Sequence, residues 1–193
     1  MNLKSLALAP LAGAALLALA GTALSQEPAW VAGAREVAGA LPPKLVATLA
    51  DEIAKTGADG AIPVCRDKAP ALAKAASEAS GWQIRRVSLK NRNPKAVPDA
   101  WERTALEEFD RRVAAGESGA GLEKAEVVQV DGKPWYRYVK ALPTLPLCLG
   151  CHGDASTLSP AVQSKIKALY PDDHAVGYRQ GEIRGAVTLK RPG

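Results

Sequence analysis

Lys124-Ala125-Glu126-Val127-Val128-Gln129-Val130-Asp131-Gly132-Lys133-Pro134-Trp135-Tyr136-Arg137-Tyr138-Val139-Lys140-Ala141-Leu142 is the stretch that decides the fold. Lys124 to Val130 and Trp135 to Leu142 alternate with the period of two that a half-buried strand requires. Asp131-Gly132 between them tolerates positive φ and marks a tight antiparallel hairpin. Gln83 to Leu89 alternates in the same way, and Ile183 to Lys190 reads as a closing strand. Residues 29–56 are helix-like, and Pro42-Pro43 is expected to break them into two pieces. A second helix is expected from Ala61 to Ala79, because Ile62, Cys65, Ala69, Leu72 and Ala76 recur three or four apart and share one face. Pro63 fits its first turn, whereas Pro70 is expected to kink or split it.

Lys90-Asn91-Arg92-Asn93-Pro94 is a turn-rich loop. Beyond it Asp99 and Glu102 form a capping box, followed by the apolar stripe Trp101, Ala105, Phe109 and Val113. Gly116 is placed to end that helix. Ser159-Pro160 opens a short helix that ends near Tyr170-Pro171. Helices come first, then an antiparallel sheet interrupted by helices and loops, which is an α+β arrangement.

The first 25 residues have the form of a signal peptide. Lys4 supplies the charge, Leu6 to Ala20 is apolar, and Ala23-Leu24-Ser25 offers small residues for cleavage after Ser25. The apolar run is about 15 residues, short of the ~20 that a spanning helix needs. The expectation is export to the periplasm, no stable membrane span after cleavage, and one domain over residues 26–193. The formal net charge of +5 is spread along the chain, apart from a basic stretch at residues 85–95. No helix-turn-helix, zinc-finger or RNA-binding pattern accompanies it, so nucleic acid is not the expected partner.

The chain has 3 cysteines, Cys65, Cys148 and Cys151. An odd number is awkward outside the cytoplasm, where free thiols are oxidised. Cys148-Leu149-Gly150-Cys151-His152 accounts for two of them. Two thiols separated by two residues match the spacing of the haem vinyl groups, and the following His is carried under the iron. A redox disulfide would not need the His, and a zinc site would need a second Cys/His pair at finger spacing. The motif therefore predicts one covalent haem c, with Cys148, Cys151 and His152 as its attachment and ligand residues. Gly150 and Gly153 leave room for a close backbone approach.

The sixth iron position is narrowed by elimination. The one methionine is Met1, which leaves with the signal. Cys65, His174, a lysine, water and an open position remain. Cys65 also reads as a small apolar residue on a helix face, and His174 as a solvated residue in the turn Asp172-Asp173-His174. Arg86 and Arg92, between the haem-linked segments, are candidate partners for haem propionates or else ordinary surface cations. Trp135, Tyr136 and Tyr138 should divide between core and outer face by alternation.

Several ordered motifs resemble a known family. They are Ala61-Ile62-Pro63-Val64-Cys65 with Ala69-Pro70, then Arg86-Val87-Ser88-Leu89-Lys90-Asn91-Arg92-Asn93-Pro94, then Pro98-Asp99-Ala100-Trp101-Glu102. Cys148-Leu149-Gly150-Cys151-His152-Gly153 follows, then Tyr170-Pro171-Asp172-Asp173 with Ala175, Gly177 and Tyr178. Together they resemble the periplasmic PAS-like haem-c domains, long a domain of unknown function, found alone and as sensor modules of bacterial histidine kinases. The resemblance implies a PAS-like central antiparallel sheet flanked by helices. It also implies His/Cys ligation, with Cys65 as a thiolate opposite His152.

The expected function is a periplasmic redox or small-ligand sensor module that acts through a partner protein. A low-potential periplasmic electron-transfer cytochrome is the alternative. No enzymatic activity is expected, since a peroxidase-type site needs an open position with an acid–base His, and only His174 is spare. The expected partners are the haem-attachment machinery and a redox or signalling protein.

Overall fold

The computed structural model describes residues 26–193, so the expected signal segment, 1–25, lies outside the described residues. Helix α1, Ala29–Gly60, runs through Pro42 and Pro43 instead of breaking there. Its two ends are each held by packing. Val31, Ala34 and Ala38 lie in one buried cluster with Trp82 and Tyr138, and Ala58 packs against a second cluster around Ile62 and Val162. Anchoring at both ends outweighs the two backbone donors that the prolines remove. The non-helical residue falls later, at Gly57 (φ 77°), where a glycine adopts the left-handed region at low cost.

The expected helix from Ala61 to Ala79 is present but interrupted. Val64–Lys68 forms a π turn, and α2 begins only at Ala69 and ends at Ser80. Pro70, the second residue of α2, falls directly after that π turn, so the helical run is split where the sequence places the disturbance. Ala69 N–H bonds back to Val64 O, five residues away, and this wide turn carries Cys65.

Strand β1, Gln83–Val87, leads through the loop to α3, Ala100–Ala114, where both halves of the Asp99/Glu102 capping box are formed. The hairpin follows as β2, Glu123–Val130, and β3, Lys133–Pro143. Asp131 (φ 51°) and Gly132 (φ 72°) make the turn, with Val130 opposite Lys133. The single-turn helix α4, Leu149–His152, and helix α5, Pro160–Leu169, then lead to β4, Ile183–Pro192. Ser159 caps α5 by accepting from Val162 N–H.

The four strands form one antiparallel sheet in the order β1-β4-β3-β2. The last strand is therefore central, and Ile183 to Leu189 are all buried. Helix α3 supplies Ala105, Leu106 and Phe109 to the core on one face. Helix α1, with Ala73 and Ala76 of α2, covers the other, around Trp82, Tyr138, Val187 and Leu189. Among the described residues no helix is long and apolar enough to cross a membrane. The architecture is α+β, as the strand and helix patterns predict.

Candidate functional site

The Cys-x-x-Cys-His segment follows β3 across a short 3-10 turn, Pro146–Cys148, and occupies α4. Two backbone bonds pin its end to the chain beyond α5. Gly177 N–H donates to Gly153 O at 2.7 Å, and Tyr178 N–H to His152 O at 2.9 Å.

The geometry around His152 fixes its protonation. Nδ1 lies 2.7 Å from Ala175 O, which can only accept, so Nδ1 carries the hydrogen. Nε2 lies 3.2 Å from Nη2 of Arg184, which can only donate, so Nε2 keeps its lone pair. Burial, together with the positive charges of Arg184 and Arg92, holds the imidazole pKa well below its usual value. His152 is thus a neutral ring oriented by its second nitrogen, the state in which imidazole binds a metal.

Arg92 is buried and bonded through Nε and Nη2. It donates to both carboxylate oxygens of Asp173 at 3.0 Å, to Cys151 O at 2.7 Å and to Ala175 O at 3.3 Å. One guanidinium thereby joins the loop after β1, the motif helix and the loop after α5. Its place is structural, inside the site, rather than that of a free surface cation. Arg86 is half-buried on β1, and its charge acts on Cys65, His152 and Arg184.

Cys65, Cys148 and Cys151 are all free thiols. Burial pushes the Cys65 thiol up, against the opposing pull of Arg86, Arg184 and Arg92, with Cys148 adding a further upward push. Ile62, three residues before Cys65, lies in the cluster against which Cys151 packs, which brings this segment beside the motif. Burial likewise pushes Cys151 up, and its Sγ faces Ala58 O at 3.9 Å. His174 is exposed in its turn, with its N–H donating to Asn91 O. The strand aromatics lie elsewhere: Tyr138 is buried against α1, and Tyr136 stacks on Trp30.

Arg184, Ser88 and Tyr178 complete the site, and no role could be read for them in the sequence. The Tyr178 ring meets His152 edge-on, with centroids 6.4 Å apart, and Lys90 Nζ lies 4.1 Å from its centre. Ser88 donates to Arg184 O at 3.0 Å. Gly185 makes this approach possible, because a Cβ there would lie 2.4 Å from Val87 O. The one available signal was a charge, Arg184, set in the apolar strand Ile183-Arg184-Gly185-Ala186-Val187.

The chain is similar in three dimensions to the crystal structure of the cyanobacterial heme-protein Tll0287. The TM-score is 0.66 at 24% sequence identity, covering 86% of this chain and 97% of that one. No curated protein matches the chain. The Tll0287-like family model matches residues 17–192, nearly the whole sequence, and the chain belongs to the Tll0287-like family.

Proposed function

We propose that the chain is an exported c-type haem protein with a single PAS-like domain over residues 26–193. It carries one haem and works as a periplasmic redox or small-ligand sensor module through a partner protein. The observation behind this reading is the state of His152: neutral, half-buried, tied down through Nδ1 and holding a lone pair on Nε2 directly after two free thiols. The similar cyanobacterial protein of known structure is a heme-protein, which supports it.

The residues present fit the group. Cys148 and Cys151 would take the two thioether bonds, and His152 Nε2 the iron. Arg184 has a buried Nε without a partner, the kind of orphan that a bound ligand satisfies. Haem supplies one-electron redox chemistry and a coordination position for a small ligand when bound.

The chain's own residues divide the remaining work. Arg92 and Asp173 hold the motif against the loop that orients His152. Cys65 is the residue that would hold the iron together with His152, and the charges of Arg86, Arg184 and Arg92 oppose the upward push of burial on its thiol. Its place on the π turn suits a switch, because that turn joins α2 to the end of α1. A ligand lost there would be felt by both helices.

The reduced protein, purified from an exporting host, should contain one haem per chain and bind carbon monoxide readily. Hydrogen exchange should rise from Val64 to Ser80 on reduction. A reduced form that ignores carbon monoxide and exchanges electrons rapidly with small cytochromes would replace the sensor with an electron carrier. A chain free of haem would contradict both.

A further inference from the structure

The site holds two buried arginines, and they differ in one respect. Arg92 has a carboxylate and two carbonyls. Arg184, 9% exposed on the central strand, has neither a carboxylate nor a carbonyl for its guanidinium. None of the ion pairs among the described residues includes it. Its Nε has no partner, its Nη1 reaches Ser88 Oγ only at 3.5 Å, and its Nη2 bonds to His152 Nε2 at 3.2 Å. A second cation, Arg86, acts on it from β1, and Tyr178 presents a ring 5.3 Å away instead of an anion.

A buried guanidinium with no counter-ion marks a place for an anionic group. The bond to His152 sharpens the point. Nε2 has one lone pair, so it cannot accept from Arg184 and ligate a metal at the same time. Loading the site therefore strips Arg184 of its best acceptor and obliges it to find another.

We infer that Arg184 is the carboxylate-binding residue of this site, the side chain that would pair with a propionate of the haem once His152 Nε2 is given to the iron. This rests on the haem reading above. It adds a residue on the central strand to the cofactor site. The planar fork of arginine suits a carboxylate, held through two parallel N–H···O bonds.

The test uses the loaded protein carrying haem with 13C at the propionate carboxyls. Redox-difference infrared spectra locate those carboxyl bands in wild type, Arg184→Lys, Arg184→Gln and the exposed control Arg103→Gln. Arg184→Gln is expected to shift one carboxyl band, Arg184→Lys to keep it near the wild-type position, and Arg103→Gln to leave it alone. Unchanged bands in a loaded Arg184→Gln protein overturn the inference and leave the haem reading standing. Should Arg184→Gln fail to load, the unloaded wild-type chain is titrated with ferric haem and with its dimethyl ester. At least tenfold weaker binding of the ester supports the inference, and equal binding overturns it. A wild-type chain that takes up no haem removes the haem reading and the inference with it.

Discussion

His152 donates from Nδ1 to the carbonyl of Ala175 at 2.7 Å, a bond that spans the motif helix and the loop after α5. It leaves Nε2 as the lone-pair nitrogen. In the unloaded chain, 15N spectra should therefore show the Nδ1–H tautomer, neutral through the range where an ordinary imidazole titrates. The folded state then binds fewer protons than the unfolded state, whose His has a pKa near ~6.5. Stability should be fully present above that value and fall as pH drops below it. A His152 ring that titrates normally, or carries its proton on Nε2, would contradict the geometry.

Arg92 and Asp173 form an ion pair with side chains only 8% and 9% exposed. Removing one partner leaves the other buried and unpaired. Arg92→Ala or Asp173→Ala should each cost about 3–5 kcal/mol in denaturant unfolding. The double variant should cost less than the two added together. Simple additivity would mean that the pair is not coupled.

The sequence offers both Cys65 and His174 as a second ligand to a haem iron; in the structure Cys65 is partly buried and His174 is exposed. Cys65→Ala should convert the ferric spectrum of the loaded protein from a low-spin, thiolate-like form to a weaker-field or water-bound one. His174→Ala should leave it unchanged. The reverse pattern would indicate ligation by two histidines.

Glu123 ties α1 to the hairpin. It accepts from Arg35 Nε at 2.8 Å and from the Tyr138 hydroxyl at 2.6 Å. Burial alone would push its carboxyl up, but these bonds outweigh that and hold it below its usual value. Its contribution is present above the unfolded pKa and lost as pH falls through the folded one. Glu123→Gln should cost about 1–3 kcal/mol near neutral pH and flatten the acid side of the stability curve. An unchanged acid limb would mean that other carboxylates control it.

Local signals in the sequence carried over well where the physics is local. Asp131-Gly132, the Asp99/Glu102 box and Ser159-Pro160 each act within a few residues, and each is found where the pattern places it. The Cys-x-x-Cys-His spacing is local too. What depends on distant packing was not legible. Pro42-Pro43 stays helical because the two ends of α1 are anchored on different clusters. The central position of β4 follows from pairing with strands far away in sequence. Pro70 marks a disturbance in the sequence, but its form, a π turn carrying Cys65, was not legible. The sequence left Arg92 between a propionate partner and a surface cation, because its partner Asp173 is 81 residues away.

Sensor and carrier alike depend on covalent attachment at Cys148 and Cys151, with His152 beneath the iron. A denaturing gel of the exported protein, stained for haem peroxidase activity, decides the point, with Cys148→Ser, Cys151→Ser and the double variant alongside. The wild-type band should stain and survive both denaturation and acidic organic extraction, and the double variant should show no stained band. Haem that extracts cleanly from the wild-type chain would contradict covalent attachment.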